Sequence, residues 1–407
     1  MKTEERTRTP RRGRRLGPFE RTVLAVVGRR VRTGRLEVDL PDGSRRVFDG
    51  RADGPHARVS VRDGRILRRV GTTGAIGLAD GYIAGEYETA DLASFIELMA
   101  LHVEPAHRVP VPAAVDRVGR AIWRTLGRGG GPRGPLQDVV QHYDLGNEFY
   151  GLWLDPSMTY SAGVFARDEM TLEEAQREKY RRLAEAADIR AEHSVLEIGS
   201  GWGGFATYLA DELGADVTTL TVSREQAAYV KGIVARRGLG DRVHVRLEDF
   251  AVHRGTYDRI VSVEMIESIP GSRWGEYFGA LHDRVRPGGM IGLQVITVAD
   301  HHWRASNENP DFIRRYIFPG GQVPAPMVLR GLTERAGLRW VADEAHGASY
   351  ARTLRCWLEA FDTRWPQIEG LGFDEPFRRM WRYYLAYCEG GFRAGRADVS
   401  QIVLTRP

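Results

Sequence analysis

Cysteine is close to absent from this chain: Cys356 and Cys388 are its only two among 407 residues. Two cysteines at that spacing build no disulfide framework, zinc ribbon or CxxC redox pair, and a reduced cytosolic setting is expected. Long apolar runs are missing too. The longest near the N-terminus covers residues 23–27, far short of the roughly 20 residues that a membrane span requires. No apolar segment with a small-residue cleavage site follows the early arginines, so they do not read as a secretory signal. Lysine is equally scarce: Lys2, Lys179 and Lys231 are the only lysines among 58 basic residues, a bias that reads as codon usage. His142, His301 and His302 have no carboxylate or cysteine at metal-ligand spacing, which leaves no metal site to expect.

Apolar side chains make up 42% of the residues, enough at this length for two domains with a sizeable core. The charge is uneven. Residues 1–15 hold seven basic and two acidic side chains and carry +5, while the rest of the chain sums to −1. A basic arm on a near-neutral body points to a polyanionic surface, either anionic lipid headgroups or nucleic acid, or simply to a solvated tail. A nucleic-acid enzyme would need a basic face beyond the arm, and the body supplies none.

Around the Asp42-Gly43 turn, residues 35–48 read as two short strands, and 57–61 alternate like a third. Asp91 is placed to cap an apolar helix over 92–100. Glycine and proline crowd residues 127–135, which read as a linker. The expected organisation is a basic tail over 1–20, a small N-terminal α+β domain with a helical connector over 21–126, the linker, and a larger domain over 136–407. In that domain, apolar strands at 194–198, 217–220, 243–247, 260–263 and 290–296 alternate with helical stretches at 205–213, 224–236 and 274–285. The alternation predicts a doubly wound α/β fold of Rossmann-like type, a parallel sheet with crossover helices.

Between the first of these strands and its helix runs Gly199-Ser200-Gly201-Trp202-Gly203-Gly204. Such a loop lets a ligand approach the backbone at a helix N-terminus, or merely allows close packing of strand and helix. A dinucleotide site would place an acidic residue about 20 positions on, and the stretch 218–223 contains none. No Lys-Ser or Lys-Thr pair follows the glycines, which excludes a P-loop. A nucleoside without a pyrophosphate remains. S-adenosylmethionine fits, with its amino-acid portion along the loop and Gln226 or Glu248 reaching ribose and adenine.

Further runs accompany the loop: Gln141-His142-Tyr143-Asp144-Leu145-Gly146-Asn147, Met158-Thr159-Tyr160-Ser161, Leu220-Thr221-Val222-Ser223 with Gln226, and Arg315-Tyr316-Ile317-Phe318-Pro319-Gly320-Gly321. On these, the chain from Gln141 onward resembles the cyclopropane-fatty-acid synthase family of S-adenosylmethionine-dependent methyltransferases, which act on double bonds of lipid acyl chains. Residues 77–99 are similar to the family's N-terminal lipid-associated domain. The resemblance implies a cofactor site lined by Tyr160, Ser161, Gly199, Gly201, Trp202, Gly203, Thr221, Gln226, Leu247 and Glu248. Ring faces such as those of Tyr143, Tyr160 and Trp202 suit a sulfonium, because they attract a cation without offering a nucleophile.

An alkene is a poor nucleophile, so its methylation passes through carbocation character on the acyl chain. The resemblance places Tyr143 and Tyr350 on the wall of that site. In cyclopropane synthases a bicarbonate held by a Cys, a Glu, a His and a Tyr is thought to take the final proton. Here the Cys position is Ala162 and the His position is Gln294, while Glu267 and Tyr350 remain. Alanine offers no side-chain hydrogen bond and a neutral glutamine cannot balance an anion, so bicarbonate is left open as a cofactor. Glu267 becomes the candidate base, its pKa expected to be raised by desolvation. Cys388 matches a cysteine that the family has been assigned at its active site and joins Tyr143, Glu267, Gln294 and Tyr350 in the catalytic set. No methyl-to-alkene step needs a thiolate, however, and packing is the plainer reading of it.

Glu264-Met265-Ile266-Glu267 and Leu293-Gln294 resemble the branch of the family that makes 10-methylene fatty acids, precursors of tuberculostearic-type lipids. The expected activity is therefore methyl transfer to the double bond of an oleoyl-type phospholipid, giving a methylene branch. Cyclopropane formation and a catalytically silent lipid-binding module are the alternatives. The expected setting is cytoplasmic, peripherally bound to the anionic inner face of the membrane. A reductase partner would complete a methyl branch, no nucleic acid is expected as a partner, and the oligomeric state is not legible.

Overall fold

The computed structural model describes residues 15–102, 145–308 and 311–407. Tyr143, the linker at 127–135 and residues 1–14 of the expected tail lie outside the described residues. The chain divides into two units, one formed by residues 1–128 with 375–383 and the other by 129–374 with 384–407.

The first unit carries a four-stranded sheet in the order β2-β1-β3-β4, with β1 Thr33–Asp39, β2 Arg45–Asp49, β3 Ala52–Val61 and β4 Tyr87–Thr89. A helix, Pro18–Arg30, starts inside the stretch expected to be tail, with proline in its first turn, where a missing N–H is harmless. The hairpin forms at Asp42-Gly43 as the sequence predicts: Gly43 has φ 85°, and Asp42 Oδ1 accepts from Ser44 N at 3.0 Å. Strand β3 starts at Ala52 rather than at residue 57. Its first residues are largely exposed and lack the apolar alternation by which strands are recognised. Asp91 caps the helix Leu92–His102, accepting from Ser94 N at 2.9 Å and from Ser94 Oγ at 2.7 Å.

The second unit is built on a seven-stranded sheet in the order β10-β11-β9-β8-β5-β6-β7. Its strands are β5 Ser194–Ile198, β6 Asp216–Thr221, β7 Val243–Leu247, β8 Tyr257–Val263, β9 Val285–Val298, β10 Arg339–Ala345 and β11 Ala397–Thr405. Strands β5 to β9 run parallel, as the alternation of strands and helices predicts. The expected all-parallel sheet is corrected at one edge, where β11 pairs antiparallel with both β9 and β10. Successive side chains of a strand face opposite ways, and the core divides accordingly. Val195, Val217 and Val261 pack with residues of the helices Leu172–Ala186 and Gly204–Glu212. Leu196, Ile198, Ile260 and Leu293 pack with Trp274, Tyr277 and Phe278 of the helix Trp274–Arg284.

Candidate active site

Strand order in the seven-stranded sheet reverses at β5, with β6 on one side and β8 on the other, and ligands of open α/β sheets bind beyond the carboxyl ends of the strands at such a point. The glycine loop leaves β5 there, Gly199 N and Ser200 N donating to Leu220 O at 3.0 and 2.8 Å. Gly201 has φ 48°, and a Cβ on it would meet nothing within 4 Å, so the loop turns bare backbone toward open space. Gly203 differs: a Cβ there would lie 2.9 Å from Val230, which ties this glycine to helix packing. Trp202 faces inward. It is tilted against Tyr150 with ring centroids 4.8 Å apart, and its Nε1 donates to Asn147 Oδ1 at 2.7 Å.

At the end of β6, Thr221 gives its hydroxyl proton to Gln226 Oε1 at 2.8 Å, which leaves both amide protons of Gln226 available to an acceptor. Leu247 ends β7 with 45% of its surface exposed, an apolar platform beside Glu248. Glu248 N donates to Thr221 O at 2.9 Å, and its carboxylate is held by His253 Nδ1 at 2.8 Å. Bare backbone, amide donors, an apolar platform and a fixed carboxylate together suit an adenosyl ligand.

An aromatic wall adjoins these loops. The Tyr160 ring lies 5.5 Å from Tyr150 and 5.2 Å from Trp357, and its hydroxyl shares a 2.7 Å hydrogen bond with that of Tyr384. Tyr350 packs on Phe392 with centroids 4.5 Å apart. Burial and the nearby Asp311 push the Cys388 thiol up, so it stays protonated, as a packing cysteine would. Among the described residues, no three His, Cys, Asp or Glu side chains gather as a metal set.

Glu264 directly follows β8 and has φ 48°. Left-handed backbone costs a residue bearing a side chain about 1 kcal/mol or more. In return, three donors converge on its carboxylate. Oε1 accepts from Ala162 N and from Gln294 Nε2, each at 2.8 Å, and Oε2 accepts from Tyr350 Oη at 2.7 Å. The Gln294 amide is itself oriented, its Oε1 accepting from Gln401 Nε2 at 3.1 Å across the β9–β11 pair. Burial raises the pKa of Glu264, opposed first by the charge of Lys179 and then by the hydrogen bonds of Tyr350, Gln294 and Ala162.

Glu267 stands apart from these donors on the single turn Ile266–Ser268. Its Oε1 accepts from Ile296 N, while Oε2 is buried without a hydrogen-bond partner. Burial, then the neighbouring Glu264 charge, push its pKa to about 8, so it holds a proton at neutral pH. Sequence reasoning singled out Glu267 and passed over Glu264, on which Tyr350 and Gln294 converge. The available signal was a glutamate at the first position beyond the carboxyl end of a parallel strand, where sites of this fold class lie.

A family model described as mycolic acid cyclopropane synthetase matches residues 132–402. The chain is 36% identical over 411 residues to the tuberculostearic acid methyltransferase UfaA1 of Mycobacterium tuberculosis, spanning 96% of this chain and 93% of that protein. It is 31% identical over 360 residues to the cyclopropane-fatty-acyl-phospholipid synthase of Escherichia coli, spanning 86% and 88% of the two. Among solved structures, mycolic acid cyclopropane synthase CmaA1 complexed with SAH and CTAB superposes with a TM-score of 0.63 at 29% identity, covering 67% of this chain and 99% of that chain. The cyclopropane synthase MmaA2 from Mycobacterium tuberculosis superposes equally well, at 30% identity over 68% of this chain and 99% of that one.

Proposed function

Since the chain belongs to the mycolic acid cyclopropane synthetase family, we propose that it is a methyltransferase that moves the methyl group of S-adenosylmethionine to the double bond of an oleoyl-type phospholipid and yields a methylene-branched chain. The observation that carries the product assignment is the Glu264 carboxylate, covalently tethered among the donors of Ala162, Gln294 and Tyr350. Similarity to a tuberculostearic acid methyltransferase over 96% of this chain supports the same branch of chemistry.

When bound, S-adenosylmethionine supplies an electrophilic methyl group on a cationic sulfur. The open backbone at Gly201 would take its amino-acid portion, the amide of Gln226 and the Leu247–Glu248 platform would hold its nucleoside end, and the rings around Tyr160 present faces to positive charge. The alkene π pair would form the new carbon–carbon bond to that methyl, the methyl–sulfur pair leaving with the sulfur, and the neighbouring acyl carbon would become cationic. A hydride shift carries the charge to the methyl-bearing carbon. Glu264 then accepts one proton from the new methyl, and the freed pair closes an exocyclic double bond. Bicarbonate has no place in this reading, because the donors at Ala162, Gln294 and Tyr350 already engage Glu264. A reductase acting afterwards would convert the methylene to a methyl branch.

No helix among the described residues is long and apolar enough to cross a membrane. The +5 arm over residues 1–15 supports peripheral docking on an anionic cytoplasmic leaflet. The activity is tested with methyl-labelled S-adenosylmethionine and dioleoyl phospholipid vesicles, the product being read by proton NMR. Vinylidene protons, formed equally well after bicarbonate is depleted, are expected. Cyclopropyl protons from a bicarbonate-dependent reaction would overturn the reading.

A further inference from the structure

Lys179 lies in the Leu172–Ala186 helix with its side chain wholly buried. All but three of the 58 basic residues in this chain are arginine, and of the two lysines among the described residues Lys231 is exposed and Lys179 is buried. The distinction is physical. A guanidinium carries five donors that each need an acceptor, whereas an ammonium is a compact point charge that a small polar niche can hold.

That niche is spare. Lys179 Nζ donates to Ser161 Oγ at 2.6 Å, and its ammonium sits 4.6 Å from the centroid of the Tyr180 ring. Among the described residues no carboxylate forms a direct ion pair with it. A buried cation without a paired anion is costly, and burial lowers the pKa of Lys179 to about 7, so its charge is full only on the acid side of neutrality. The carboxylates that feel this field come from three elements: Glu264 beyond β8, Glu197 on β5 and Asp155 in the loop before Tyr160. Glu197 takes a hydrogen bond from Thr219 and is pushed to about 8 by burial, so it carries little charge at neutral pH. Glu267 is likewise protonated there. Tyr350 and Tyr180 stay neutral, and Gln294 and Gln401 bring no charge. For Glu264, by contrast, Lys179 is the largest influence opposing its protonation. The two are also mechanically joined. Ser161 precedes Ala162, whose N–H bonds Glu264, and Gln401 Nε2 donates both to Lys179 O at 3.0 Å and to the Gln294 amide that bonds Glu264.

We propose that Lys179 is a positioning residue whose buried ammonium, moored on Ser161, favours the ionised form of the Glu264 carboxylate in a water-poor site and so readies it to accept a proton in each turnover. The proposal rests on Glu264 being the base. Its signature is confined to the acid side of the pH profile, because as pH rises past neutrality Lys179 gives up its charge and Glu264 ionises with or without it.

The test is the pH dependence of kcat at saturating lipid vesicles and S-adenosylmethionine for the full chain, Lys179→Met, Lys179→Gln and Lys179→Arg. Both neutral variants are expected to move the acid limb upward by about one pH unit or more, with activity recovering as pH rises and KM for the cofactor nearly unchanged. Lys179→Gln keeps a donor for Ser161 and serves if the methionine variant does not fold. Lys179→Arg retains the charge and is expected to keep the wild-type limb at whatever rate it shows. Neutral variants whose limb coincides with the wild type, or whose defect lies only in KM for S-adenosylmethionine, would overturn the proposal. Full activity in Glu264→Gln would instead overturn the assignment of the base, which separates the two failures.

Discussion

Replacing Glu264 with glutamine removes one negative charge while leaving almost every contact possible. The glutamine Oε1 can still accept from Ala162 N and Gln294 Nε2, and Tyr350, which now donates to Oε2 at 2.7 Å, can turn its hydroxyl to accept from the new amide. What disappears is the proposed proton acceptor. General-base catalysis is worth about 10²–10⁴ in rate, or about 3–5 kcal/mol of barrier. Stability should move the other way. Glu264 has a raised folded pKa, so its favourable share of stability is complete below the unfolded value and is lost as pH rises through the folded one. A glutamine never ionises, and Glu264→Gln should therefore melt at or above the wild-type temperature at pH 8 while methyl transfer falls at least about 100-fold. Single-turnover transfer of labelled methyl and a calorimetric melt measure the two effects. A large drop in melting temperature, or activity within tenfold of wild type, would refute the reasoning. Glu264→Gly goes further, because it relieves the left-handed backbone and empties the place of the carboxylate. Added bicarbonate or formate should restore part of its activity, and failure of every small anion to do so would count against a carboxylate-shaped niche.

Gly201→Val puts a β-branched side chain at φ 48° and into the open space facing the loop, so cofactor binding by calorimetry should be lost while the fold persists. Unchanged affinity would remove the loop from the site. The stability held in protonated Glu267 is complete below about pH 4.5 and drains as pH rises toward about 8, so the wild-type melting temperature should fall across that window, and Glu267→Gln should flatten the decline. A parallel decline in the variant would place the titration elsewhere. Removing residues 1–15 takes away a charge of +5 and should weaken sedimentation with anionic vesicles at low salt, while turnover on detergent-dispersed lipid is retained.

The hairpin at Asp42-Gly43, the five parallel strands and the glycine loop were legible because each depends on residues close together in sequence. The antiparallel edge was not. Strand β10, Arg339–Ala345, is exposed along nearly its whole length, and β11 interleaves Ser400, Gln401 and Thr405 with its apolar residues. Gln401 and Thr405 are buried all the same, because Gln294, Lys179 O and Gly289 O accept their hydrogen bonds, and those partners lie 107 to 222 residues away. Glu264 escaped for the same reason. Its run was visible, but its partners stand 102, 30 and 86 residues from it, at Ala162, Gln294 and Tyr350. In composition Lys179 is indistinguishable from the other rare lysines, since burial cannot be read from composition.

The left-handed backbone at Glu264 has an evolutionary consequence. Glycine is the residue that this conformation accommodates most freely, and glycine and glutamate codons interconvert by one purine transition. If Glu264 is the base, mutation can therefore exchange an enzyme that carries its own base for one that must borrow a dissolved anion without disturbing the chain path around the strand end. A lineage at this position could drift between tethered and borrowed acids, and its sensitivity to the carbonate supply of the cell would change with a single base pair.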